Sequence, residues 1–157
     1  MFCSEKHHML IHLLFGIFSL AIIYFLDPNV DLYKAGFLAV LFSFLPDIDH
    51  LFFIFIYGHR TDYASKIRAF LGKKEFKKVI NFCKTNHKDN TQIYSHNFVS
   101  LFLTLLFFYY FFANRQVYWS VVFLSWSMHY IFDLLEDLLF FSKVNPNWWL
   151  KFGEKRS

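Results

Sequence analysis

Apolar residues gather in four long runs along the chain, separated by short or charged connections. The runs cover residues 9–26, 35–57, 93–113 and 117–141, and each is near the roughly 20 residues that an α-helix needs to cross a bilayer. The pattern predicts an all-α polytopic membrane protein built as a bundle of four transmembrane helices. No repeat and no Gly-, Pro- or Ser-rich linker divides the chain, so residues 1–157 are interpreted as a single membrane domain.

The two stretches outside these runs differ in character. Residues 58–92 interleave many Lys and Arg residues with apolar ones, which predicts one or two amphipathic helices lying on the anionic inner leaflet of a membrane. Residues 142–157 place Trp148 and Trp149 close to Lys151, a composition typical of an interfacial tail. Membrane lipids are therefore the expected partners. The alternatives for the basic loop are docking of a cytoplasmic partner and nucleic-acid binding, but no recognised nucleic-acid motif accompanies its charge, and no nucleic-acid partner is expected.

The composition supports a membrane protein. Hydrophobic residues make up 56% of the chain and include 24 Phe, whereas soluble domains have roughly 45–50%. The first run has no small-residue cleavage site behind it, so it is interpreted as a retained membrane helix and not a signal peptide. Cys3 and Cys83 lie far apart, and they support neither a disulfide framework nor a thiolate metal site.

The distribution of basic residues predicts the orientation in the membrane. Of the 16 Lys and Arg residues, only Lys34 and Arg115 lie in the connections that follow the first and third runs. The others precede the first run or belong to the basic loop and the tail. The positive-inside rule then places both termini and the loop in the cytoplasm of an integral protein of the cell membrane.

The second run contains acidic and imidazole groups in the sequence Pro46-Asp47-Ile48-Asp49-His50. An isolated carboxylate in a low-dielectric setting costs several kcal/mol, and no Lys or Arg lies within residues 35–57 to offset that cost. Asp oxygen and His nitrogen are ligands that zinc, manganese and magnesium accept. The alternative is a water-filled break between two short helices, because Pro46 is expected to end the preceding helix.

The fourth run presents a polar stripe on one helix face. His129, Asp133 and Glu136 follow each other at helical spacing, with Asp137 close to the same stripe. His129 and Asp133 can bind one ion together, or the acid can orient the imidazole. Glu136 or Asp137 could act as a general base on a metal-bound water. For both acids the alternative is the solvated end of the helix, and this interpretation is favoured for Asp137.

The first and third runs each open with one further imidazole, His12 and His96. With the predicted topology, all four helices place their ionisable groups in the cytoplasmic half of the membrane. The sequence thus predicts a site for one to three divalent ions, preferably zinc. Its candidate ligands are His12, Asp47, Asp49, His50, His96, His129 and Asp133, with Asp49 and Glu136 as the candidate catalytic residues.

These elements together resemble the YdjM type of membrane-bound metal-dependent hydrolases. The matching motifs are His12-Leu13-Leu14-Phe15, Leu45 through His50, Ser95-His96-Asn97, and His129 with Asp133. The family commonly has His-Arg-Gly-x-Thr-His-Ser before the third helix, whereas this chain has Thr91-Gln92-Ile93-Tyr94-Ser95-His96-Asn97 and lacks the first His and the Arg. Those two groups are absent or supplied by the loop, from His59, Arg60 or His87.

The resemblance implies a membrane-embedded metal-dependent hydrolase. Zinc-dependent phospholipases C share the broader arrangement of His and Asp on helices, and by analogy the substrate is an ester or phosphoester of a lipid-like molecule. The alternative is a non-catalytic membrane protein in which the same residues hold a structural ion or line a polar or ion-conducting cavity.

Overall fold

The chain folds into helices, as the apolar runs predict. The computed structural model describes residues 4–86, 93–140, 142 and 144–149, without the side chains of residues 4–8, 84 and 140. Residues 87–92 of the basic loop and residues 150–157 of the tail lie outside the described part. The described residues form no strand, and their α-helices are α1 (Ser4–Leu26), α2 (Leu32–Phe44), α3 (Ile48–Phe52), α4 (Asp62–Gly72), α5 (Phe76–Asn86), α6 (Phe98–Ala113) and α7 (Val117–Phe140).

Helices α1, α2, α6 and α7 pack side by side around a shared core. Small residues let α1 and α2 approach closely, since a Cβ on Gly16 would lie 3.0 Å from the carbonyl oxygen of Ala39. Closer to the C-terminal end of α1, the fully buried Ile23, Ala35 and Val121 pack together and connect α1 and α2 to α7. Short connections at residues 27–31 and 114–116 make successive helices antiparallel, so the bundle has two distinct ends.

Two helical stretches in the described part are long and apolar enough to cross a membrane, Met9–Leu26 and Leu32–Tyr57. Only 22% of the residues in each apolar window are buried, whereas the core helix of a soluble protein is mostly buried. Phe98–Ala113 is apolar but shorter. The structure therefore supports a membrane protein and gives two candidate spans, where the sequence pattern predicts four.

The second apolar run is a broken helix. As predicted, the chain leaves the α-helix before Pro46: α2 ends at Phe44, and a 3₁₀ turn follows at Leu45–Asp47. After α3, a π-helical turn covers Phe53–Tyr57 and ends at Gly58. A Cβ on Gly58 would overlap the Phe53 ring and lie 2.6 Å from the Phe53 carbonyl oxygen, so this turn requires glycine.

The basic loop forms the two helices α4 and α5, which confirms the prediction of amphipathic helices. Ala64 of α4 packs with Phe53 and Ile93 in a small apolar cluster beside the π-helical turn. Arg68 secures this contact because its guanidinium donates hydrogen bonds to the carbonyl oxygens of Ile54 and His59. The loop thus packs against the end of the bundle at which the second run breaks.

Residues 144–149, called the tail strap below, fold back onto α7. The backbone NH of Asn145 and the indole NH of Trp148 donate to Asp137 Oδ2 at 2.7 and 3.1 Å. Asp137 is buried in this contact, so it is not the solvated helix end that the sequence favours. Trp148 is buried as well and packs on Phe98, which differs from the expected interfacial anchor, whereas Trp149 is exposed.

Candidate metal centre

Four separate segments bring His and Asp side chains together at the end of the bundle near the basic loop. His12 comes from the first half of α1, Asp47 from the 3₁₀ turn after α2, His96 from the turn before α6, and His129 and Asp133 from α7. They form two overlapping groups, His12–His129–Asp133 and Asp47–His96–His129, whose ligand atoms lie within 4.8 Å of one another. The sequence predicts all five of these residues as ligands.

His129 is at the centre of both groups. Its Nε2 atom lies 3.1 Å from Asp133 Oδ2, 3.4 Å from His96 Nε2 and 3.7 Å from Asp47 Oδ1. Its other ring nitrogen, Nδ1, lies 2.8 Å from the carbonyl oxygen of Ser43 at the end of α2. Because a carbonyl oxygen only accepts, Nδ1 carries a proton, and in the neutral ring Nε2 presents a lone pair to the other groups.

Asp133 joins the remaining imidazoles to this centre. Its Oδ2 atom lies 3.0 Å from His96 Nε2, and its Oδ1 atom lies 3.6 Å from His12 Nε2. Oδ1 is buried and makes no hydrogen bond to any group in the described part of the chain. The His12 ring is fully buried and stacks on that of His129 at 4.0 Å. Carboxylate and imidazole acceptors therefore converge on one point, an arrangement that suits a cation.

A cavity of about 130 Å³ adjoins this cluster. Glu136 follows Asp133 by about one helical turn, is buried and lines the cavity. His50 also lines it, with Nε2 at 3.8 Å from Asp47 Oδ1 and its side chain 43% exposed, but it belongs to neither ligand group. In the described part of the chain, the residues that line it are Asp47, His50, Tyr63, Ile93, His96, Asp133, Glu136, Asp137, Asn145, Asn147 and Trp148.

Asp49 is not part of either group of ligand atoms. Its Oδ1 atom accepts a hydrogen bond from the hydroxyl of Tyr57 at 2.8 Å, and Oδ2 accepts one from the backbone NH of Ser95 at 2.8 Å. The carboxylate thus joins the π-helical turn to the turn that carries His96. This geometry favours a positioning role for Asp49, and its predicted roles as ligand and catalytic residue stay predictions.

Several residues around the site are absent from the sequence-based list. The carbonyl oxygen of Ser43 contacts Nδ1 of His129, and the hydroxyl of Ser95 contacts Nδ1 of His96. The first contact joins residues 86 positions apart, and the second involves a Ser that precedes a His, a pair too common to predict a contact. Trp148 reaches the cavity because the tail strap folds back. Of these, only the tail gives a sequence signal, since the Asn145-Pro146-Asn147 sequence favours a turn.

Tyr63 of α4 also reaches the cavity, so the basic loop contributes to the site as well as to the surface. Burial, and after it a hydrogen bond with Cys83, raises the pKa of the Tyr63 phenol. The hydroxyl group therefore stays protonated at physiological pH and can donate a hydrogen bond.

Comparison with known proteins places this site in a family. The family described as YdjM inner membrane protein matches residues 8–148, a range that contains all five residues of the two ligand groups. No curated protein matches the chain at a significant level, and neither does any solved structure. Since the family match covers most of the 157 residues, the chain belongs to the YdjM inner membrane protein family.

Proposed function

We propose that this protein is a membrane-embedded metal-dependent hydrolase that acts on a phosphoester of a lipid-like substrate. The observation that carries the proposal is the convergence of His96, His129 and Asp133, whose facing atoms are separated by 3.0–3.4 Å. Two ligand atoms of a tetrahedral zinc site, each about 2.0–2.1 Å from the ion, are about 3.3 Å apart. In a catalytic site the fourth position would hold water, whereas Asp47 Oδ1, at 3.7 Å from His129 Nε2, would occupy it in a structural site.

The surroundings of these ligands fit zinc or a similar ion. The Ser43 carbonyl oxygen fixes the His129 tautomer, which is the usual arrangement around a metal-bound imidazole. The two ligand groups share the single available nitrogen of His129, so an ion bound by His129 would leave His12 and Asp133 Oδ1 as the ligands of a second ion. A bound divalent ion would lower the pKa of a water ligand toward about 7 and polarise the phosphoryl oxygen.

Glu136 is the proposed general base. It lies one turn after Asp133 on the same helix face, and its buried carboxylate lines the cavity in which a substrate group would sit. From this position it could accept the proton of the attacking water. Tyr63 lines the same cavity, and its hydroxyl could exchange the hydrogen bond with Cys83 for one donated to an oxygen of the substrate.

The membrane setting supports a lipid-like substrate. We propose four crossings with both termini and the basic loop in the cytoplasm, which puts the cavity near the inner membrane surface. Helix α5 exposes Phe76 and Ile80 beside Lys77, as expected of a segment that lies on anionic lipid. The cavity would then lie beside α4, whose Tyr63 lines it, at the level of the headgroups.

A closed structural site is the second candidate function. The four atoms from Asp47, His96, His129 and Asp133 would complete a tetrahedral shell and leave no position for substrate. The two functions differ in what Glu136 does, because a structural ion needs no general base.

The test uses the full chain purified in detergent, with metal content measured by elemental analysis and turnover measured on phosphodiester and phospholipid substrates. We expect at least one bound divalent ion per chain, and removal of that ion by a chelator should abolish turnover and lower the melting temperature. Asp133→Asn should lose both metal and turnover. Glu136→Gln should retain metal and lose about 100-fold or more in turnover.

His59→Ala is the matched control: the structure places His59 in neither ligand group, with its Nδ1 atom against the carbonyl oxygen of Ile56, so metal and turnover should stay unchanged. Undiminished metal in Asp133→Asn would contradict the metal centre. Bound metal without turnover on any of these substrates would support the structural site instead.

A further inference from the structure

The end of the bundle opposite the metal centre carries two isolated basic residues. Lys34 lies in the first turn of α2, and Arg115 lies in the turn between α6 and α7. Both line a groove of about 610 Å³ between α2 and the start of α7, within the size range of ligand-binding clefts. In the described part of the chain, neither side chain forms an ion pair with a carboxylate.

The groove has a charged mouth and an apolar interior. It runs along α2 from Lys34 past Leu38 to Phe42, a distance of about 12 Å at the rise of an α-helix. On the α7 side, the buried Val122 forms its floor and the half-exposed Trp119 forms a wall. An elongated apolar chain attached to an anionic group would match this arrangement.

Exposed aromatic residues show where this end would lie in a membrane. They ring the same end of the bundle, at the end of α1, the start of α2, the end of α6 and the start of α7, and they are Tyr24, Tyr33, Tyr109, Tyr110 and Trp119. Tyr and Trp are enriched at the level of the lipid headgroups. Lys34 and Arg115 would therefore lie at headgroup depth, with the groove below them at the depth of the acyl chains.

The electrostatic surroundings favour an anion. The Lys34 ammonium lies 4.2 Å from the centre of the Tyr118 ring, a contact that leaves its NH groups available. The start of α7 adds the positive end of a 24-residue helix. The nearby carboxylates of Asp27 and Asp31 accept hydrogen bonds from backbone NH groups in the connection between α1 and α2.

We propose that this groove binds an anionic phospholipid. The phosphate lies between Lys34 and Arg115, and one acyl chain follows the groove toward Phe42. This site is separate from the metal centre and does not depend on the proposed hydrolase activity.

The experiment measures lipid binding to the purified full chain by native mass spectrometry, with dioleoylphosphatidylglycerol and dioleoylphosphatidylcholine as the two probes. We expect the first phosphatidylglycerol to bind about tenfold more tightly than phosphatidylcholine. The double variant Lys34→Gln, Arg115→Gln should reduce this preference to less than about twofold. The comparison variant Lys73→Gln, Lys77→Gln removes the same charge from exposed positions of the basic loop, which itself faces anionic lipid, and should weaken the preference of the first bound lipid by less than about twofold.

A second variant separates binding from folding. Arg115 has a φ of 56°, a left-handed conformation at a helix end where glycine is favoured. Arg115→Gly should therefore keep or raise the melting temperature while it weakens the preference for phosphatidylglycerol.

Three results would overturn the proposal. The first is equal binding of the two lipids by the unaltered protein. The second is a preference for phosphatidylglycerol that survives in the double variant at Lys34 and Arg115. The third is an equal loss of that preference in the variant at Lys73 and Lys77. A dimer that dissociates in the double variant while the lipid preference persists would instead assign the groove to a second copy of the chain.

Discussion

Replacement of Asp49 by Asn tests whether this residue is a metal ligand or holds the site together. The Asp49 carboxylate accepts one hydrogen bond from Tyr57 and one from the backbone NH of Ser95, each at 2.8 Å. An Asn side chain has one acceptor oxygen, so its amide NH₂ would face either the Tyr57 hydroxyl or the Ser95 NH. In the second case the amide NH₂ of Asn and the backbone NH of Ser95 would be two donors facing each other. In both cases the side chain is neutral, so a charge-assisted hydrogen bond is lost.

The expected destabilisation follows from this count. A hydrogen bond to a charged group contributes about 1.5–3 kcal/mol, and 1 kcal/mol corresponds to a shift of about 2–4 °C in a chain of this size. We therefore expect Asp49→Asn to lower the melting temperature by about 5–10 °C. Because Ser95 precedes His96, the metal affinity should fall by about 10–100-fold, the usual effect of changing a residue that supports a ligand.

The assay is a metal titration combined with thermal unfolding of the purified protein. At saturating zinc, Asp49→Asn should reach the same stoichiometry as the unaltered protein, whereas Asp133→Asn should not. Tyr57→Phe is the matched control, since it removes one hydroxyl and keeps the Asp49 charge, with an expected cost of about 1 kcal/mol. If Asp49→Asn keeps its melting temperature but binds no zinc at saturation, Asp49 is a ligand and the positioning role is refuted.

Two further substitutions test the segments around the site. Gly58→Ala forces a methyl group into the Phe53 ring, and we expect a loss of about 1–3 kcal/mol, measured as a lower melting temperature; an unchanged value would contradict the tight π-helical turn. Trp148→Phe removes the indole NH that donates to Asp137, so protease cleavage after residue 142 should become faster while metal content stays the same. Unchanged cleavage would mean that the tail strap is held by other contacts.

The arrangement around His129 explains why the cluster has a defined geometry. The imidazole is fixed from one side by the Ser43 carbonyl oxygen at the end of α2 and from the other by Asp133, four residues later on α7. The first of these contacts exists only because the chain leaves the α-helix after Phe44 and the last carbonyl groups of α2 become available to a side chain. The break at Pro46 thus supplies both a candidate ligand, Asp47, and the group that orients another.

The candidate ligands could largely be predicted from residue type and spacing. His129 and Asp133 lie on one helix face at a spacing that any α-helix would preserve, and the structure brings them within 3.1 Å. His12, His96 and Asp47 could be predicted only as a set, because nothing in the sequence gives the distance between helices. What these residues share is the cost of placing a charged or polar group in an apolar run, and that cost does not depend on the fold.

The amino-acid sequence by itself determined the helical class, the membrane character, the amphipathic loop and the break before Pro46, because these follow from local periodicity and composition. Only the tertiary structure separated Asp47 from Asp49. The two residues lie in a segment of 3₁₀, α and π turns with no fixed period, and the direction of Asp49 is set by Ser95, 46 residues away. The burial of Asp137 and Trp148 likewise depends on the tail strap, which folds back onto α7. Contacts between separate segments decide which polar groups are removed from water, and residue spacing alone does not predict them.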